Sequence, residues 1–361
     1  MWSRDVLNRL WVLLSIVILG CGPSESDLAP VRSFRADRAR AEVDDKSWCV
    51  LRGSELECVL HEGTTRSLSR RKVSSFALSG DLVVWIEDGE LLFGGCFFSF
   101  SPRQTHCARG GYSGVERLAP GTRFSDAIQL RVSGGHVCVV TDAGVLFCGG
   151  YNAQYAVDPS SPSSEFVSLH AIRMSAQVRD VATALNATCA ETDAGDVVCW
   201  GGRYGRAYGS LPDAIAIAGS GPASMCTLTR EHRLDYWRFG DNPNTGVFEW
   251  HSERVPISGA RDCLIAERVA SSEDVTGRRW WWGSHVTTGQ DACTISRPCA
   301  VGLPNNRCRV AALSESIACV ACDRAVVSCG DRAREEVIVV HATSRVYRTS
   351  DAPTNAAGAR R

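Results

Sequence analysis

Apolar and polar positions follow a period of two over most of this chain, and the clearest block is residues 135–152. There, Val137 to Thr141 forms a β-branched run that leads into Asp142-Ala143-Gly144, and a second apolar run, Val145 to Phe147, leads out to Gly149-Gly150. Two such runs around a glycine turn predict a β-hairpin, with Gly144 supplying the positive φ that the turn needs. Cys138 and Cys148 lie five residues either side of Ala143. They therefore face each other across the strands, at a Cα separation of roughly 4.5–5.5 Å that a disulfide tolerates.

The same unit recurs. Cys189 and Cys199 flank Asp193-Ala194-Gly195, and Cys319 and Cys329 flank Asp323-Arg324-Ala325, where the glycine is lost. Cys49 and Cys58 enclose a version one residue shorter. Three further copies lack the cysteine pair. Aligning Asp88-Gly89 on the turn sets Val83 against Phe93, and a second copy sets Cys226 against Tyr236. The third sets Cys263 against Trp281 across a longer turn ending Thr276-Gly277. The second paired position thus falls at 58, 93, 148, 199, 236, 281 and 329. Helical periodicity is nearly absent between these hairpins, and strand-like runs precede most of them. This predicts seven four-stranded antiparallel sheets, an all-β, seven-bladed β-propeller of degenerate repeats whose hairpins are stapled by disulfides.

The unit resembles the regulator-of-chromosome-condensation repeat in its bacterial, exported form, approximately H-[ST]-C-A-L-x-x-D-G-x-V-x-C-W-G-x-N-x-x-G-Q-L-G. His136-Val137-Cys138 and Thr188-Cys189-Ala190 match its start, Asp142-Ala143-Gly144, Asp193-Ala194-Gly195 and Asp88-Gly89 its centre, and Cys199-Trp200-Gly201 its end. Asn152 fills the asparagine position, and of the final G-Q-L-G only Gly209 survives. The resemblance covers about residues 46–340. It implies that strands from both chain ends complete one blade, with 336–347 as the closing strand. It also implies a propeller face used for protein docking, as in exported relatives that inhibit β-lactamases.

Composition adds the compartment. The net charge of −1 gives no footprint for nucleic acid, and 44% hydrophobic with 22% charged residues fits a folded chain. Arg4 and Arg9 precede an apolar core, Leu10 to Leu19, too short to span a bilayer. It ends Ile18-Leu19-Gly20-Cys21, which resembles a bacterial lipobox with Cys21 as the lipidated residue. Residues 1–20 are then a lipoprotein signal peptide, 21–45 a flexible tether, 46–349 the propeller and 350–361 a disordered tail. Gly22 after the cysteine resembles outer-membrane sorting in Gram-negative bacteria. Setting Cys21 aside leaves sixteen of the 17 cysteines, an even number suited to an oxidising compartment.

Candidate chemistry is sparse. The predicted structural disulfides are Cys49–Cys58, Cys96–Cys107, Cys138–Cys148, Cys189–Cys199 and Cys319–Cys329. Cys226 and Cys263 pair across adjacent blades or remain buried thiols. Cys293, Cys299, Cys308 and Cys322 form two local disulfides, for which Cys293–Cys299 and Cys308–Cys322 are candidates, rather than a zinc knuckle. The Cys319-x-x-Cys322 motif lies in a predicted strand, not at the helix start that redox use requires. His136 reads as a structural hydrogen-bonding residue. No nucleophile elbow, phosphate loop, metal cluster or cofactor motif is found, so no enzyme is predicted. Two aromatic groups, Phe97, Phe98 and Phe100 after the second hairpin and Trp280 ending the sixth, read first as packing between blades and second, together with Tyr204 and Tyr208, as candidates for a binding surface.

The expectation is a monomeric, lipid-anchored envelope protein that binds an envelope or extracellular protein, without cofactor or nucleic acid. Two competing classes are an enzyme with a central-channel site, lyase- or quinoprotein-like, and a lectin-like sugar-binding propeller. The first would need acids, histidines or a metal converging on innermost strands that read as apolar, Gly and Ser.

Overall fold

Alternation becomes strand after strand. The computed structural model describes residues 41–348 apart from short connecting stretches, the longest being 98–105, and for 238–251 and from 283 on it describes almost only backbone. Residues 1–40, with the expected signal segment and Cys21, and residues 349–361, with the expected tail, lie outside the described residues.

Seven sheets follow one another along the chain, each an antiparallel meander. The first is built from Ala41–Asp44, Ser47–Arg52, Glu55–Val59 and Thr65–Ser69, and the second from Val73–Ser79, Leu82–Glu87, Glu90–Gly94 and Glu116–Arg117. The third holds Ala127–Ser133, His136–Thr141, Leu146–Tyr151 and Phe166–Ala171, the fourth Val178–Ala184, Ala187–Thr192, Val197–Gly201 and Gly209–Leu211. The fifth holds Ala214–Gly219, Ser224–Thr229, Leu234–Asp241 and Phe248–Val255, the sixth Leu264–Ala266, Val269–Glu273, Arg279–Gly283 and Cys299–Val301. The seventh has five strands, Cys308–Leu313, Ile317–Cys322, Val326–Asp331, Glu336–His341 and Ser344–Arg348. The first strand of each sheet lies beside the first strands of its neighbours, and Ala41–Asp44 lies beside both Val73–Ser79 and Cys308–Leu313. This is a closed seven-bladed β-propeller.

Closure differs from the expectation. No strand of one chain end pairs in the sheet of the other among the described residues; residues 336–341 and 344–348 both stay in the seventh sheet. The reason lies in the stretch read as tether. Ala41-Glu42-Val43-Asp44 keeps a period-two pattern and pairs with Ser47–Val50 as the innermost strand of the first blade. Each end therefore completes its own blade, and the ring closes by side-by-side packing.

The core sits between blades. Cys49, Leu56 and Cys58 of the first pack on Val73, Phe76, Leu78 and Trp85 of the second. Leu82, Val84, Ile86 and Phe93 of the second meet Leu130, Val132, Val137 and Val139 of the third. The pairs Cys138–Cys148 and Cys189–Cys199 belong to the next two interfaces, so these disulfides are themselves packing surface for the following blade. Each fully buried large side chain here contributes roughly 1.5–3 kcal/mol.

Two hairpin registers differ from those predicted. In the second blade Phe93 opposes Val84, not Val83. Its turn is two residues, Asp88 (φ 49°) and Gly89 (φ 79°), both left-handed as the tight hairpin turn requires. The third to seventh hairpins have a three-residue loop, so counting from the turn glycine as in those blades is off by one here. In the sixth blade Trp281 opposes Ser271, and Cys263 lies ahead of the first strand, outside the hairpin. The turn, Val275-Thr276-Gly277, has ordinary length.

Candidate functional site

The two ends of the ring are built differently. At one end lie the turns between second and third strands. Four of them share one geometry, in which the residue before the loop bonds the residue after it: Thr141 to Val145, Thr192 to Asp196, Thr229 to Arg233 and Asp274 to Arg278. The third loop residue is left-handed in each: Gly144 (φ 75°), Gly195 (82°), His232 (55°) and Gly277 (82°). The buried side chain at the first position accepts the returning N–H, through Thr141 Oγ1 (3.2 Å), Thr192 Oγ1 (3.3 Å), Thr229 Oγ1 (3.1 Å) and Asp274 Oδ1 (3.0 Å). A Thr-x-x-Gly frame in the sequence carries this signal, though only the Asp-x-Gly part of it was read. The loop carbonyl then receives an N–H from the next blade, as Gly89 does from Phe124, Gly144 from Val178 and His232 from Ala260. These turns therefore latch neighbouring blades together, which leaves them little freedom to vary.

At the opposite end lie the connections between third and fourth strands, and these are unequal, short at 60–64 and 332–335 and longer at 95–115, 152–165, 202–208, 242–247 and 284–298. The best described is organised by Asn152. Its fully buried amide donates to the carbonyls of Asp158 (2.9 Å), Ser161 (3.1 Å) and Pro162 (3.0 Å), and its oxygen accepts from Val157 and Asp158 N–H (2.9 and 3.0 Å). The loop so held presents Asp158, whose carboxylate accepts from Ser160 N and Oγ, Ser161 Oγ (2.8 Å) and His170 Nε2 (3.0 Å). Desolvation raises the carboxyl pKa, but the hydrogen bonds outweigh it and hold it below the usual value. Asp158 is the hub here and both serines donate to it. Neither serine is bonded to the histidine, so this is no Ser-His-Asp relay.

In the 95–115 connection, Cys96–Phe97 pairs with His106–Cys107, and Cys96 is bonded to Cys107. Phe97 takes the packing role between blades and not the binding one. It is fully buried, edge-on to Phe93 (5.3 Å) and Phe166 (5.7 Å), because the connection folds back and plugs the second–third interface. It is core, not surface. Phe98, Phe100, Tyr204 and Tyr208 lie outside the described residues. Trp280 is half-buried at the sixth blade; its Nε1 donates to Asp274 Oδ2 (2.8 Å) and Arg278 lies over its ring (5.6 Å).

The structure contains the disulfides Cys49–Cys58, Cys138–Cys148 and Cys189–Cys199, with Cα separations of 4.1, 4.2 and 4.0 Å. Cys226 is bonded to Cys263, joining the fifth blade to the entry of the sixth. For Cys319 and Cys329 only backbone is described, and it sets them directly opposite each other. The side chains of Cys293, Cys299, Cys308 and Cys322 are not among the described ones.

His136 is fully buried between the third and fourth blades, and burial lowers its pKa to about 3, so the ring is neutral. Thr188 Oγ1 donates to Ala156 O (2.6 Å) and must accept from His136 Nε2–H (2.8 Å). That assigns the tautomer and leaves Nδ1 an acceptor; Ser133 Oγ lies 3.0 Å from it and 3.2 Å from Ala184 O of the fourth blade, and its one proton serves either acceptor. With no solvent access at Ser133 or His136, the pair ties two blades and offers no nucleophile.

Sequence reading missed one feature of the innermost strands. Arg131 and Asp180, from adjacent blades, form a buried ion pair at 3.4 Å. They break the apolar, Gly and Ser pattern expected there. Among the described residues no group of three His, Cys, Asp or Glu side chains gathers as a metal site.

No family model matches the chain, and no curated protein matches it. Solved structures do. Human WBSCR16 superposes with a TM-score of 0.58 at 15% identity, over 74% of this chain and 78% of that one. Prp20p from Saccharomyces cerevisiae, described together with its binding to Gsp1p and histones, gives 0.56 at 14% identity over 73% and 76%. Yeast RCC1 (Prp20) in its complex with Kap60 gives 0.57 at 12% identity, over 86% and 84%. In fold, this chain is a β-propeller similar to those of RCC1 (Prp20) and WBSCR16.

Proposed function

We propose that this chain is an envelope lipoprotein whose propeller docks a protein partner on the end carrying the long third-to-fourth connections. The observation that carries the reading is the asymmetry between the ends. The turn end repeats one latched geometry from the third blade to the sixth, whereas the connection end varies in length from blade to blade. Recognition concentrates in loops held on a rigid scaffold, and the Asn152 cage and the Cys96–Cys107 bond supply such rigidity. Proteins of the same fold have protein partners, Gsp1p, histones and Kap60, which supports this class of ligand without naming one. Anchoring rests on the lipobox-like Leu19-Gly20-Cys21.

The test has two arms. Metabolic labelling with a fatty-acid analogue should mark the wild-type chain and not Cys21→Ser; equal labelling sinks the anchor. Crosslinking in living cells, followed by titration of the purified propeller against the captured envelope protein, should give saturable binding. Absence of saturable binding sinks the docking reading, and a glycan captured instead would move the chain to the sugar-binding class.

A further inference from the structure

The seventh blade departs from the rule of the turns. Where the third to sixth blades place Thr141, Thr192, Thr229 and Asp274, the register of the seventh places Cys322. Its loop, Asp323-Arg324-Ala325, also has alanine where the left-handed glycine stands in the third and fourth blades. Both sequence devices that set this turn elsewhere are therefore missing from the blade that closes the ring. The same blade closes without sharing a strand with the other chain end.

The register brings two cysteine pairs together there. Cys322 stands opposite Cys308 across the first and second strands, and Cys319 stands opposite Cys329 across the second and third. The third blade has Ala127 opposite Thr141 at the places of Cys308 and Cys322. Directly opposed positions lie within the Cα window for a disulfide. Cys319 and Cys322, by contrast, are three residues apart on one strand. At about 3.3 Å rise per residue they are roughly 10 Å apart and on opposite faces, so the C-x-x-C cannot close on itself without unravelling the strand.

We infer that the seventh blade is a double clamp, with Cys308–Cys322 and Cys319–Cys329 binding its three inner strands on opposite faces, and that Cys308–Cys322 replaces the missing turn threonine and glycine. Each bond forms from two thiols, with loss of two protons and two electrons to a thiol–disulfide oxidant such as oxidised glutathione. Closing loops of about 10 to 15 residues constrains the unfolded chain in the loop-entropy model. Among the sixteen cysteines this assignment leaves Cys293 and Cys299 to each other.

The test is independent of export and of any partner. The chain is refolded in a reduced and oxidised glutathione buffer, and its peptides are mapped without reduction. The inference predicts linked peptides Cys308–Cys322 and Cys319–Cys329. Linkage of Cys319 to Cys322, or alkylatable thiols at Cys308 and Cys322, overturns it. The replacement argument has its own readout in two double variants. C308A/C322T restores the alanine–threonine pairing of the third blade and should keep a higher unfolding midpoint than C308A/C322A. Equal midpoints, or failure of both to fold while the third-blade disulfide still forms, would overturn the substitution argument.

Discussion

Acidification should strain one buried residue more than any other described here. His136 is neutral in the folded chain with a pKa of about 3, against the ordinary 6.5 when unfolded. The sign follows from proton uptake. Above pH 6.5 both states hold the ring neutral and its contribution to stability is fully present. As the pH falls, the unfolded state binds a proton that the folded state refuses, so stability is lost progressively down to about pH 3. Each pH unit below 6.5 costs about 1.4 kcal/mol, which amounts to about 2 kcal/mol at pH 5. The assay is urea unfolding of wild type and His136→Gln at pH 7.5 and pH 5. Gln can still donate to Thr188 but does not titrate. The free-energy difference between the two pH values should be about 2 kcal/mol smaller in the variant. Comparing differences removes the contributions of the other histidines and the carboxylates. If both proteins lose the same stability on acidification, the neutral, fully buried His136 is wrong.

Other consequences follow from the same construction. Asn152→Ala removes a buried amide that makes five hydrogen bonds. It should lower stability by about 3 kcal/mol, with faster amide exchange at Val157 and Asp158. Gly144 and Gly277 share a left-handed backbone, but a Cβ at 144 would sit 2.5 Å from Gln177 Cβ while one at 277 meets nothing within 4 Å. Gly277→Ala should therefore cost about 1 kcal/mol and Gly144→Ala about 2–3 kcal/mol by thermal or urea unfolding; equal costs would refute the close inter-blade latch. Arg279, buried and bonded to Asp262 (2.9 Å) and Glu273 (2.6 Å), should destabilise by about 3 kcal/mol or more on change to Ala, because it leaves two carboxylates facing each other.

The hairpins were legible because a period of two, a turn glycine and a cysteine pair are all local signals. Blade number followed from counting them. Register was legible only where loop length was constant: the two-residue turn at Asp88-Gly89 shifted Phe93 from Val83 to Val84, and nothing in an apolar run marks such a shift. Long-range choices were legible at best as alternatives, as with Cys226 and Cys263, read as pairing across adjacent blades or remaining buried thiols. Cys226 keeps its place opposite Tyr236, yet its sulfur goes to Cys263 in the next blade, 37 residues on, because Tyr236 is not a cysteine. For Phe97, in the loop after the second hairpin, the sequence favoured packing between blades over a binding surface without naming what it packs on. Only the fold-back of that loop onto Phe93 and Phe166 makes it core. The Arg131–Asp180 pair joins residues 49 apart on different blades and left no local trace. Ring closure likewise depends on what the first strand pairs with, which a four-residue alternation at 41–44 does not announce.

The central claim, that a partner docks on the connection end, is tested most directly by a photoreactive amino acid placed at single positions in the full chain in cells. Gln154, Pro162 and Glu165 are exposed on the 152–165 connection, and Ala143 and Ala194 are exposed on turns of the opposite end. The account predicts a discrete protease-sensitive crosslinked product from the first three positions and none from the last two. The same product from both ends, or a product from the turn positions alone, would contradict it.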